Sequence, residues 1–342
     1  MNPHPPSFTL RQLAYLVAVA DTGTVIGAAE RMHVSPSAMS DAITELERVL
    51  GARLCVRRKS HGVTMTSAGV RAVADARELL RAADELSVAV DTRGDRLAGP
   101  LAIGCFGTIA PTVMPPVLNE FSPAHPGLDI TFTESTQDQL VAMLDAGRLD
   151  VAFAYDAFLP AQVPRATAFA LRPHILLAAD HRLAGEPSVQ LEDLVDEDFI
   201  MLDAPPSTEH ALGNFTARGL TPRVRHRTGN PDVVRTLVGR GLGYGMLIQQ
   251  QPDHSDCSPF PVVRKPIAPE VDPIQVVLIW SAALSLGPRA QALVEYARSA
   301  RWLPDDGIPG TVPARPRDGQ APRPGHQNTI VELPSSSTRS SR

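Results

Sequence analysis

The chain has 342 residues, 43% of them hydrophobic, and a net charge of −5. That length exceeds one ordinary domain, which runs to about 100–200 residues, and suits two or three. Taken whole, the acidic balance argues against a nucleic-acid partner, which calls for a basic bias. The balance is uneven, however: residues 1–98 carry a net +1 and residues 99–342 a net −6. Only two of the basic residues are lysines, Lys59 and Lys265. Cys55, Cys105 and Cys257 form no CxxC and no zinc spacing, so neither a disulfide scaffold nor a metal site is expected, and a reducing cytoplasm fits. The longest apolar runs, such as Ala14–Ala20, are far too short to span a bilayer. The opening MNPHPPSF lacks the charge and apolar core of a signal peptide.

Residues 10–20 read as a first helix with Leu10, Leu13, Leu16, Val17 and Ala20 inward, stopped by Thr22-Gly23. Thr24 caps a second, short helix over 25–32. Ser35 before Pro36 is a strong start for a third, since proline at the first helical position forfeits no hydrogen bond. That third helix, running to Gly51, buries Met39, Ala42, Ile43, Leu46, Val49 and Leu50. Short helix, tight turn and longer helix have the spacing of a helix-turn-helix, although helical hairpins share the pattern. RLCVRRK (53–59) and GVTMT (62–66) pair as a hairpin around Ser60–Gly62.

Residues 67–93 form one uninterrupted amphipathic helix, with Val70, Val73, Ala76, Leu79, Leu80, Ala83, Leu86 and Val90 at three- and four-residue steps. It either packs on its own domain or connects and self-associates. Beyond it, strands at 101–106, 128–134 and 150–155 alternate with helices, the pattern of parallel βαβ units. Further strands fall at 174–179, 198–202, 223–228, 244–248 and 275–280, and helices near 191–195, 207–218, 231–240 and 287–300. Residues 303–342 hold seven prolines, four glycines and five serines and read as a disordered tail.

The stretch FTLRQLAYLVAVADTGTVIGAAERMHVSPSAMSDAITELERVLGARLCVRR, with GVTMTSAG after it, resembles the LysR-type transcriptional regulators. The resemblance continues through GPLAIGCFGTIAPTVMPPVLNEFSPAHPGLDITFTEST and VVRTLVGRGLGYGML, and covers about residues 8–302. It implies a winged helix-turn-helix DNA-binding domain over 8–66 and a dimerising linker helix over 67–93. It also implies an α/β effector-binding domain over 99–302, of the two-lobe, periplasmic-binding-protein type (type 2). Lobe 1 is expected at about 99–163 and 262–302, and lobe 2 at about 164–261. The implied partners are promoter DNA, a small-molecule effector and a second copy of the chain, as dimer or tetramer, with RNA polymerase a further candidate. The implied setting is the cytoplasm, at the nucleoid.

On DNA, the N-terminal half of the third helix would present Ser35, Pro36, Ser37, Ser40, Asp41 and Thr44, with Arg48 further along. Arg57 and Arg58, with Lys59, would meet phosphates or the minor groove from the wing. Family members often carry a basic or amide residue where Asp41 stands, so this face is less basic than the resemblance implies. Asp41 either accepts from a cytosine amine or pairs with a nearby arginine.

In two-lobe α/β domains ligands bind beyond the carboxyl ends of strands, where helix N-termini offer free N–H groups. The positions so placed are Thr108, Ser135, Thr136, Tyr155, Asp156, Thr208 and Asn230, and each hydroxyl or amide among them also reads as a helix cap. Their convergence on helix starts points to a small polar or anionic organic effector. A solute-binding protein would need neither residues 8–66 nor a cytoplasmic setting. GLGYG is not a dinucleotide fingerprint, and no HExxH, GxSxG or P-loop appears, so no enzyme and no cofactor is expected. His210, His226 and His254 read as surface residues. Cys105 in a strand and Cys257 in a distant polar loop make a poor redox pair.

Overall fold

The computed structural model describes residues 6–58, 62–90, 97–157, 159–248, 260–283 and 286–302. The expected tail, Lys59, His254 and Cys257 lie outside the described residues.

Helix α1 (Leu10–Thr22) opens on a capping box: Thr9 accepts from the Gln12 N–H, and Gln12 Oε1 takes the Thr9 N–H at 2.8 Å. Gly23, with φ of 66°, ends it in the left-handed conformation that costs other residues energy. α2 (Val25–Arg31) is capped by Thr24, and α3 (Pro36–Leu50) by Ser35, whose hydroxyl accepts from the Ala38 N–H at 3.2 Å. Ala28 and Ala29 are fully buried, so the small side chains bring α2 against its neighbours. Met39, Ile43 and Leu46 complete a core with Leu13, Leu16 and Val19. Leu10 and Leu50, read as inward, are 49% and 41% exposed because they stand at helix ends beyond that core.

The wing is an antiparallel pair, β1 (Cys55–Arg58) with β2 (Gly62–Met65). It is pinned to α3 by Glu47, whose Oε1 accepts from the Leu54 and Cys55 N–H groups at 2.7 and 3.1 Å. It is pinned to the α1–α2 turn by the Val63 N–H on the Gly23 carbonyl at 2.7 Å. Gly62 has φ of 73°, and a Cβ there would stand 2.4 Å from that carbonyl, so only glycine fits.

Helix α4 (Ser67–Val90) has two characters. Its first half buries Val73 and Ala76 in the N-terminal core, with Ala72 and Leu80 packed against it. Val70, Leu79 and Leu86 are exposed. Arg77 and Arg81 reach the next domain. Arg77 pairs with Asp21 of α1 and donates to the Ala146 carbonyl at 2.6 Å. Arg81 pairs with Asp150 at 2.8 Å.

The C-terminal domain has two sheets. The first has the order β4 (Gly127–Ser135), β3 (Ala98–Phe106), β5 (Val151–Tyr155), β13 (Ile274–Ile279), β6 (Arg165–Leu171), with β3 parallel to β4 and β5. Helix α5 (Ala110–Pro116) runs on through a π turn into α6 (Ser122–Ala124), and α7 (Gln137–Asp145) links β4 to β5. The second sheet has the order β10 (Arg223–Thr228), β9 (Asp198–Leu202), β11 (Tyr244–Leu247), β7 (His174–Ala178), β12 (Val262–Ala268), β8 (Val189–Gln190). Helices α8 (Ser207–Thr216) and α9 (Pro231–Gly239) accompany it, and α10 (Pro288–Ser299) returns to the first sheet. Each sheet has its own buried core.

Three strands, β6, β8 and β12, lie outside the strands expected from the sequence. Two of them move the lobe boundaries. β6 belongs to the first sheet, so the first crossover follows Leu171 and does not precede residue 164. β12 belongs to the second sheet, so the second crossover follows Ala268 and does not precede residue 262. The physical reason is pairing: β6 adds to the edge of β13, and β12 pairs with β7 over Val262–Pro266.

Candidate functional site

The exposed face of α3 carries Ser37, Asp41 and Thr44, with Ser40 half-buried. Ser35 and Ser37 hydroxyls are 3.1 Å apart, and Pro36 stands exposed at the first helical position. Thr44 donates its proton to the Ser40 carbonyl at 2.9 Å, so towards solvent its oxygen is an acceptor. Arg48 is not paired with Asp41. It forms a two-point bridge to Glu45, at 2.8 and 2.6 Å, which holds the Glu45 carboxyl below its usual range. Asp41 is exposed and has no ion pair among the described residues, so the arginine pairing expected of it is made by Glu45 instead. Arg57 and Arg58 occupy the hairpin register opposite Val63 and Gly62. Their side chains lie outside the described residues.

The second site follows from topology. β6 leaves the first sheet at Leu171, at the same pole as the carboxyl end of β5, since both strands run antiparallel to β13. The chain enters the second sheet at His174, opposite Leu247 at the carboxyl end of β11. The return passage leaves β12 beside His174 and enters β13 two residues before Val276, which pairs with Tyr155. Both passages therefore join the carboxyl-end poles of the two sheets, and the cleft between the lobes lies there.

Thr108, just after β3, lies 3.1 Å by its hydroxyl from that of Tyr155, so these two positions do come together. Tyr155 is buried and stacks edge-on against Phe106, which makes it the floor beneath Thr108. Asp156 is tied to Arg165 at 2.5 Å, and its N–H donates to Gln275. Its charge is spent on holding a loop. Ser135 donates to Gln139. Thr136 stands exposed at the N-cap of α7 but makes no cap bond there. In lobe 2, Thr208 sits in the first turn of α8, not before it, and donates to the Leu202 carbonyl at 3.2 Å. Asn230 caps α9, accepting from the Asp232 N–H at 2.8 Å.

Two neighbours of these positions carry more than the positions themselves. Gln137 is buried, and its Nε2 donates to the Ala157 carbonyl at 2.9 Å. Its Oε1 is buried without a hydrogen-bond partner among the described residues. Ser207 is buried at the start of α8, and its hydroxyl likewise lacks a partner. A buried polar atom left unpaired costs about 1–3 kcal/mol, so each of these oxygens calls for a partner. His174, at the mouth of the first crossover, is a third such group. Burial first, then the nearby Arg235 and Arg264, push its ring down to about 3, so it is neutral. Of the histidines read as surface residues, His226 is exposed, whereas His210 is half-buried against Asn214 and lowered by burial.

Comparison with known proteins shows the family. The model of the bacterial regulatory helix-turn-helix proteins of the lysR family matches residues 10–70, and that of the LysR substrate binding domain matches residues 94–302. The chain belongs to the LysR family. This LysR-family chain is 31% identical over 245 residues to a hydrogen peroxide-inducible genes activator of Dickeya chrysanthemi, covering 70% of this chain and 78% of that one. The crystal structure of HinK, a LysR-family regulator from Pseudomonas aeruginosa, matches with a TM-score of 0.57 and 33% identity, covering 86% of this chain and 98% of that one. A full-length OxyR variant from Pseudomonas aeruginosa shares the fold with a TM-score of 0.70 at 24% identity, covering 86% and 99%. The protein is thus a DNA-binding transcriptional regulator with an N-terminal helix-turn-helix and a C-terminal effector-binding domain. No helix among the described residues is long and apolar enough to cross a membrane.

Proposed function

We propose that this LysR-family regulator reads a two-fold promoter site through Ser35, Pro36, Ser37, Ser40, Asp41 and Thr44 of α3, with Arg57 and Arg58 of the wing on phosphates. In this reading its signal is a small polar or anionic organic molecule held between the lobes. The unpartnered buried oxygens of Gln137 and Ser207, one at the start of a helix in each lobe, carry the reading. The effector bridges those starts, with Thr108 and Thr136 on one side and Thr208 on the other. Exposed Leu79 and Leu86, seven residues apart on α4, support self-association through the linker, as a dimer or as a tetramer. We read the protein as a binder and not a catalyst, acting in the cytoplasm at the nucleoid, with RNA polymerase as a further partner.

A panel of small carboxylates, assayed by melting temperature and operator footprint, tests this reading. The effector raises the melting temperature of the wild type. Thr108→Val and Ser207→Ala each reduce that rise, taken against each variant's own unliganded value. A panel that moves neither melting temperature nor footprint refutes the effector class. A peroxide response, which the relative's name suggests, is not what Cys105 supports. Cys105 is fully buried, and burial with nearby Glu134 pushes its thiol up, away from the reactive thiolate.

A further inference from the structure

At the joint between α4 and lobe 1 lies a cavity of about 240 Å³. It sits at the amino-end pole of the first sheet, beside Leu101 near the start of β3 and Asp150 just before β5. Thr108 is at the other end of β3, roughly 20 Å away at about 3.3 Å per residue. The cavity is therefore distinct from the cleft between the lobes.

Its lining mixes both signs of charge with an apolar wall. Glu78 and Arg81 come from α4, Asp150 and Arg289 from lobe 1, and Leu101, Trp280 and Leu286 supply the wall. The charges are not equally engaged. Asp150 is spent, one oxygen on Arg81 at 2.8 Å and the other on the Ala102 N–H at 2.8 Å. Arg289 is buried and donates to the Ala98 carbonyl at 3.2 Å. Glu78 has no ion pair or hydrogen bond among the described residues. A simple anion here would meet Glu78, and a simple cation would meet the two guanidinium groups. A zwitterion meets both requirements, its ammonium on Glu78 and its carboxylate towards Arg289 and Arg81. At about 30 Å³ per water, the cavity has room for about eight waters, enough for a compact organic molecule.

We propose that this cavity is a second ligand site, taking an apolar α-amino acid as its zwitterion. Its position gives it a lever. Arg77 and Arg81 fasten α4 to lobe 1 along the same helix face, and Arg77 also holds Asp21 of the DNA-binding domain. A ligand lodged there stiffens or shifts that fastening without touching the cleft.

Calorimetric titration of the full-length chain with L-leucine, L-valine and L-phenylalanine tests the site. Leucine stripped of one charge, as 4-methylpentanoate or 3-methylbutylamine, supplies the controls. At least one amino acid binds with one site per chain, and each single-charge analogue binds at least about tenfold more weakly. Glu78→Gln weakens the amino acid about tenfold, and Thr108→Val leaves it unchanged. Three results overturn the proposal: none of the amino acids binds, the deaminated acid binds as well as leucine, or Thr108→Val abolishes binding while Glu78→Gln does not.

Discussion

The DNA-binding unit and the effector domain were built under opposite rules. In the first, the groups placed for function face outward, and what holds them is local: a serine cap, a proline at the first helical position, a glutamate three residues from an arginine. In the second, the candidate groups are buried oxygens and a buried imidazole, set at the starts of α7, α8 and β7. An exposed reading face loses little when one side chain changes. A buried cleft loses much, because each unpaired polar atom or missing ring is felt by a close-packed interior.

The largest effect expected of that contrast is in the core of lobe 2. Phe199 stacks on Tyr244 at 5.0 Å and lies 5.7 Å from Phe215. Phe199→Ala costs about 4 kcal/mol. Scanning calorimetry shows the effector domain melting earlier while the N-terminal unit holds its own transition. A single merged transition, shifted as a whole, breaks the comparison.

His174 comes next. Unfolded, it takes a proton near its ordinary 6.5, whereas folded it resists until about 3. Its contribution is fully present above pH 6.5 and is lost as pH falls through that window, at about 1.4 kcal/mol per pH unit. Denaturant melts between pH 7 and pH 5 show this slope in the wild type. His174→Phe removes its share of the slope and leaves the contributions of His210, also lowered by burial, and of the carboxylates.

Ser35→Ala removes one cap and costs about 1 kcal/mol, read as an earlier melt of the N-terminal unit alone. The smallest effect is at the surface. Asp41→Asn leaves stability unchanged and raises affinity for random DNA by about threefold, since it takes a negative charge from a face that approaches phosphates. If Asp41→Asn also changes the preferred half-site, Asp41 reads a base directly.

The same contrast explains what could be read beforehand. Helices α1 to α4 announce themselves through caps, Pro36, Gly23 and Gly51, because those signals act over a few residues. The parallel strands of lobe 1 were legible as apolar runs. β12 was not, because VVRKPIA carries two cations and Pro266, which argue against a strand until β7 is there to pair with. β8 is two residues long, and β6 begins at an arginine directly after Pro164. Without β6 and β12, sequence pattern alone places the lobe boundaries several residues from the crossovers. The place of Thr108 and Tyr155 after strands marks both positions, and their hydroxyls do meet. Gln137 and Ser207 stand next to Thr136 and Thr208, but burial without a partner is a property of packing that no spacing encodes. His174 heads an apolar run and gave no signal of its own.

Arg77 has a consequence beyond fastening. One guanidinium holds both an aspartate of the DNA-binding domain and a backbone carbonyl of lobe 1, so a shift in either body is paid for in the other. Binding free energies coupled in this way are reciprocal. Whatever factor the effector imposes on promoter affinity, the promoter imposes on effector affinity. The copy of this protein seated on its operator therefore senses a different concentration of its signal from the copy free in solution.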